Sequence, residues 1–157
     1  MPFGADMDFA VTPTVQNAQY TSGEVLGGLQ TVSVLRSDAG SSGIINYFWL
    51  ASQGGGTETV TVYLFSSKPS ASTTADKGSF SLAAADLKRL IVAPFALTLA
   101  APTGTNATFA QSSNIGAEFA NQDSPQTSNI YVVLVSGSTV TPGTITDIVF
   151  KVGVTQD

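Results

Sequence analysis

Along most of this chain, apolar and polar residues alternate with a period of two, the spacing of strands with one face turned inward. In the stretch Thr59 to Phe65, Val60, Val62 and Leu64 alternate with Thr59, Thr61 and Tyr63. Leu29 to Leu35 repeats the pattern, and the last strand, Ile145 to Val154, sets Ile148, Phe150, Val152 and Val154 against Asp147, Val149 and Lys151. Two further runs are apolar almost throughout, Ile44 to Ser52 (IINYFWLAS) and Ile130 to Val135 (IYVVLV), and both predict buried strands. Phe95 to Ala101 alternates loosely, and Val11 to Gln19 holds Pro13, which suits an edge strand or extended segment.

Helical spacing is found in one place. Leu82, Leu87, Leu90 and Ile91 fall on one face, Ser81 is a plausible N-cap, and Asp86 lies near the start. Lys88 and Arg89 close the last turn and Pro94 stops it, so a short α-helix is predicted over about 83–90, packed on the end or edge of a sheet. Between these elements lie turn residues. RSDAGSSG (36–43) reads as a loop, and Gly54-Gly55-Gly56 predicts a hairpin joining the two strands beside it. Residues 66–80 form a polar loop, and 102–128 read as loop and short strands around Phe109, Ile115 and Phe119. The first ten residues read as an arm, with Phe3, Met7 and Phe9 separated by Gly4, Asp6 and Asp8, docked on the body or on a partner. The fold class expected is all-β: a sandwich or distorted barrel with one short helix, in a single domain over 11–157 preceded by the arm 1–10.

Composition narrows the function classes. With no cysteine and no histidine among 157 residues, disulfides and thiolate metal sites are excluded, and the commonest metal ligand and general base are missing. Charged residues make up 11% of the chain, against about 25% in soluble domains, so hydroxyls and amides supply the polarity. Such a surface is cheap to desolvate and suits a protein packed against neighbours. The six cations (Arg36, Lys68, Lys77, Lys88, Arg89 and Lys151) are scattered in a chain of net charge −5, which argues against nucleic acid as a partner. The uncharged stretch from Leu90 to Ala117 is broken by Pro94, Pro102, Gly104 and Asn106, so no membrane span is expected. The opening MPFGADMDFA has no basic segment and apolar run of a secretory leader, which points to synthesis in the cytoplasm.

No motif for chemistry emerges. A Gly-x-Ser-x-Gly elbow, a phosphate-binding loop and a strand–GxGxxG–helix unit are all missing from the sequence. Glu58, Asp86 and Asp147 flank apolar runs and read as strand-surface or helix-start charges rather than a catalytic pair. Asp38 and Asp123 lack calcium-loop spacing and suit Asx turns, and Asn106-Ala107-Thr108 is a sequon by coincidence. Tyr47, Phe48, Trp49, Tyr63 and Phe65 lie inside strand patterns, where core packing is the default and a lectin-like aromatic platform the alternative. No catalytic residue, metal or cofactor is expected.

Three blocks, together about half of the chain, resemble head decoration (cement) proteins and related small virion proteins of tailed bacteriophages. They are residues 11–29, with Ala18-Gln19-Tyr20 leading to Gly27-Gly28-Leu29; residues 60–91, with Leu64-Phe65-Ser66, Lys68-Pro69 and Asp86-Leu87; and residues 129–157, with the strand Ile130–Val135 and the terminal Gln156-Asp157. Residues 92–128 lie outside the resemblance. It implies a non-enzymatic protein on the outer surface of the virion, bound as a trimer to the lattice of the major capsid protein and stabilising the mature shell. Phe3 and Phe9 of the arm are then the expected capsid contacts. The alternative is a receptor- or glycan-binding module of a phage head or tail fibre. Tyr and Trp exposed in a concave site would favour that alternative, and burial of Trp49 in the core would count against it.

Overall fold

A computed structural model describes residues 5–33, 42–101, 107–121, 123 and 129–156. Among them nine strands and one 3₁₀ helix form two antiparallel sheets, as the alternating patterns require. The strands are β1 (Ala5–Val11), β2 (Gln30–Ser33), β3 (Ser42–Ser52), β4 (Thr59–Phe65), β5 (Phe95–Thr98), β6 (Thr108–Ser112), β7 (Ala117–Ala120), β8 (Asn129–Ser136) and β9 (Ile148–Gln156). One sheet runs β1-β9-β3-β6, with β7 also paired to β3; the other runs β2-β8-β4-β5. The fold is an all-β sandwich.

The inward residues of both sheets meet in one core. Phe48, Leu50, Phe150, Val152 and Val154 face Val60, Val62, Leu64, Ile130, Val132 and Leu134. Phe48 stacks on Phe150 at 5.3 Å and meets Phe95 edge-on at 6.0 Å. A second cluster lies on the far side of the four-stranded sheet, where Val25, Phe65, Tyr131, Val133 and Val135 are buried beneath Leu29, Phe80, Leu82 and Leu90. The segments that supply this cover run through residues 20–29 and 66–90.

Two expectations change. The hairpin at Gly54–Gly56 does not form: β3 and β4 lie in different sheets, and the glycines carry the chain across the sandwich. Both edges of β3 are already taken, one by β9 and the other by β7 and then β6, so β4 has no edge to join. The predicted α-helix is a six-residue 3₁₀ helix, Ala84–Arg89. Its N-cap residue is Ala83, without a side-chain cap, while Ser81 pairs with Thr73 and Leu87 is 54% exposed. So short a segment gains too few i→i+4 bonds to offset α-helix nucleation. Within the arm expected over residues 1–10, the described residues from Ala5 onward lie on the body as an edge strand: β1 pairs along its whole length with β9, and Phe9 lies opposite Val152. Among the described residues no helix is long and apolar enough to cross a membrane.

Candidate functional site

Glu58, Asp86 and Asp147, expected at the surface, are 8%, 0% and 5% exposed. Each is used by the fold. Asp86 accepts hydrogen bonds from the backbone N–H groups of Ser70 (3.1 Å), Ala71 (3.0 Å) and Ser72 (2.8 Å) and from the Ser72 hydroxyl (2.7 Å). Arg89 Nη1 adds an ion pair at 3.0 Å. Burial pushes this carboxyl upward, but the Ser72 hydroxyl and the three N–H donors outweigh it and hold the pKa at about 2. Asp147 accepts from the N–H of Gly54, from Gly143 N–H (3.1 Å) and from Ser52 Oγ (3.3 Å). Burial raises the Glu58 pKa, its own N–H partly opposes this, and the Asp147 charge adds to the rise. A Cβ at Gly54 would overlap the Asp147 carboxylate and one at Gly56 the Glu58 carboxylate, so glycine lets the crossing wrap both acids. The structure thus brings two carboxylates together, under the crossing between the sheets rather than in a substrate cleft. Among the described residues no group of three or more metal-ligating side chains occurs.

The surface with features for recognition is the outer face of the five-stranded sheet. Alternation along β3 turns Ile45, Phe48 and Leu50 inward. Asn46 is an extra residue: Ile45 pairs with Val154 but Tyr47 pairs with Gly153, a β-bulge that re-aims the strand. Tyr47 and Trp49 therefore lie on the outer face, both half-buried. The Tyr47 ring lies against Gly153 of β9, where any Cβ would overlap Cδ1, Cε1 and Cζ of the ring. Tyr47 Oη donates to Asp8 Oδ1 at 2.6 Å, and this bond, then burial and the Asp8 charge, raises the phenol to about 12. One step along β3, Lys151 Nζ sits 4.8 Å from the Trp49 ring centroid, and Phe109, 44% exposed, stacks on Trp49 at 6.5 Å.

Around Tyr47 the bulge opens a cleft of about 480 Å³ lined by Asp8, Asn46, Tyr47, Asn114, Gly153 and Thr155, among others. The β6–β7 connection is tied to the bulge by Ile115 N–H donating to the Asn46 carbonyl at 2.9 Å. Asn114 there takes a left-handed backbone conformation, φ 55°, which asparagine tolerates better than most residues. Asn46 Nδ2 in turn donates to Thr155 Oγ1 at 2.6 Å. A cleft of about 420 Å³ beside β3 and β7 is lined by Ile44, Glu118 and Phe119.

Of the two expected capsid contacts, Phe3 lies outside the described residues. Phe9 is half-buried and packs against the core between the sheets. Phe48 and Phe65 are core residues as expected, whereas Tyr47 and Trp49 are not. Sequence reasoning missed the Asn46 bulge, Gly153 as the floor under Tyr47, and Asn114. A glycine inside an otherwise alternating strand was the one signal available.

No family model matches the chain, and no curated protein matches it. A crystal structure of tomato aspermy virus contains a chain with similarity in structure at 14% sequence identity and a TM-score of 0.45, over 97% of this chain and 76% of that one. A likeness at this level assigns neither family nor function here.

Proposed function

We propose that this chain is a non-enzymatic structural protein of a virion: a decoration (cement) protein that binds the outside of a tailed-phage capsid and stabilises the mature lattice. The observation that carries this reading is the five-stranded sheet, which leaves Trp49 and Phe109 on an open outer face and ends at a β1 edge that, among the described residues, pairs with β9 alone. Burying those rings against a protein partner is favourable, and an unpaired edge can add backbone hydrogen bonds. The N-terminal strand, with Phe9 fixed in it, contacts the lattice as a sheet edge. Contacts that span neighbouring capsid subunits bind the assembled shell and not free subunits, so they stabilise it by mass action. The resemblance adds a trimer at three-fold positions on the outer surface, made in the host cytoplasm, without cofactor or nucleic acid. The test is co-sedimentation of the purified protein with mature capsids stripped of accessory proteins, and with unexpanded procapsids. Saturable binding to mature shells, with a raised melting temperature, is expected; no binding to either shell overturns the reading.

A second reading, a receptor- or glycan-binding module, is favoured by one observation. Trp49 is outside the core, on the open face, between Lys151 and Phe109.

A further inference from the structure

The cleft at the Asn46 bulge has a construction that neither the sandwich nor lattice binding requires. A bare glycine, Gly153, forms a floor on which the Tyr47 ring lies down, although a side chain at that position would have filled the sheet surface. The ring is held flat from its far end by the 2.6 Å bond to Asp8. The walls carry amide, hydroxyl and carboxylate groups: Asn46, Asn114, Thr155 and Asp8. An aromatic face bordered by short polar side chains suits a ligand with one flat apolar side and a rim of groups that donate and accept hydrogen bonds. A pyranose ring has that form, with C–H bonds on one face and hydroxyls around its edge. Asp8 can accept from a hydroxyl, and the amides can accept from or donate to its neighbours. Among the described residues lining the cleft Asp8 is the one that is charged, and its sign disfavours phosphates and acidic sugars.

We propose that this cleft binds a neutral pyranose, the ring stacking on the open face of Tyr47 while Asp8, Asn46 and Asn114 hold its hydroxyls. The inference deepens the second reading above and stands apart from capsid binding, since it concerns the free chain. The Trp49–Phe109 pair next along the same face extends the aromatic surface in the direction a second sugar unit would occupy.

The test is an NMR titration of the isotope-labelled full chain with maltotriose, cellotriose and N,N′-diacetylchitobiose, with 3′-sialyllactose as the acidic comparison. Saturable shifts are expected for at least one neutral sugar, confined to amides of residues 7–8, 46–48, 114–115 and 153–155, with a Kd on the order of 1 mM. Asn114→Gly keeps the left-handed backbone and removes the amide, and Tyr47→Ala removes the platform. Each is expected to weaken binding by about tenfold or more, or 1.4 kcal/mol. Asn114→Gly guards against the case in which Tyr47→Ala fails to fold. No shift with any neutral sugar, a response equal in Asn114→Gly, or a response to sialyllactose alone each overturns the proposal. Because the titration uses no capsid, its failure leaves the lattice reading to the sedimentation experiment.

Discussion

β8 and β9 each have a neighbour on both sides, yet the sheets around them finish differently on the side away from the core. In β8 every residue from Ile130 to Ser136 is buried: Ile130, Val132 and Leu134 face the inter-sheet core, and Tyr131, Val133 and Val135 face the second cluster. In β9 the inward Ile148, Phe150, Val152 and Val154 are buried, but Lys151 on the other face is exposed and Val149 and Thr155 are half-buried. One sheet wears a coat made from residues 20–29 and 66–90; the other leaves its rings in the open. Covering a sheet with irregular chain obliges the fold to satisfy that chain's backbone. The acids meet this need, Asp86 for Ser70–Ser72 and Asp76 for the Gly27 N–H at 2.7 Å and the Tyr20 hydroxyl at 2.8 Å. The bare face needs no such anchors.

Matched phenylalanine truncations give the sharpest test of this contrast. Phe65→Ala, under the coat, is expected to cost about 3–5 kcal/mol in urea unfolding. Phe109→Ala, on the bare face, is expected to cost about 0.5 kcal/mol. Equal losses would mean that the bare face is as tightly packed as the covered one.

Asp86→Ala, which strips the coat of its anchor, is next at about 2–3 kcal/mol at neutral pH. The folded carboxyl sits at about 2 and its ordinary value is 3.8, so its contribution is complete above pH 4 and is lost as pH falls through 2. Unfolding curves of wild type and Asp86→Ala should converge over that interval; a constant gap would show that the charge is not what matters.

The effect at Glu58 has the opposite sign. Glu58 has a raised pKa, so its stabilising contribution is present below the ordinary glutamate value of 4.5 and is lost as pH rises through the folded value. Glu58→Gln should therefore raise stability at pH 7 by about 0.5–1 kcal/mol. The gain should shrink as the pH is lowered towards 4.5. A variant less stable than wild type at pH 7 would mean that the ionised acid is a useful anchor after all.

The strand framework was legible because period-two alternation reports which face of a strand is inward, and β4 obeys it from Thr59 to Leu64 and β9 from Ile148 to Val152. Even the coat left a trace, since IYVVLV is apolar on both faces of β8. What pattern reading missed was non-local. Nothing in Gly54-Gly55-Gly56 says whether the next strand folds back or crosses over, because that depends on β6, β7 and β9 occupying the edges of β3. Nor does Asp86 beside Leu87 tell that its carboxylate will be drawn inward by Ser70, Ala71 and Ser72, fourteen to sixteen residues earlier. The cleft was hidden for the same reason: Tyr47, Gly153 and Asp8 meet across three strands, and the bulge that aligns them is a shift of register, not a motif.

The place of β9 between β1 and β3 bears on how a new chain folds. Residues 148–156 are synthesised after the other eight described strands, so until they leave the ribosome β1 lacks its partner and β3 is bare along one edge. The open-faced sheet is thus the later of the two to close, on the millisecond-to-second scale of long-range β pairing. Meanwhile IINYFWLAS waits with an unpaired edge, and where many copies are made at once it is the segment to watch for mispairing between nascent chains.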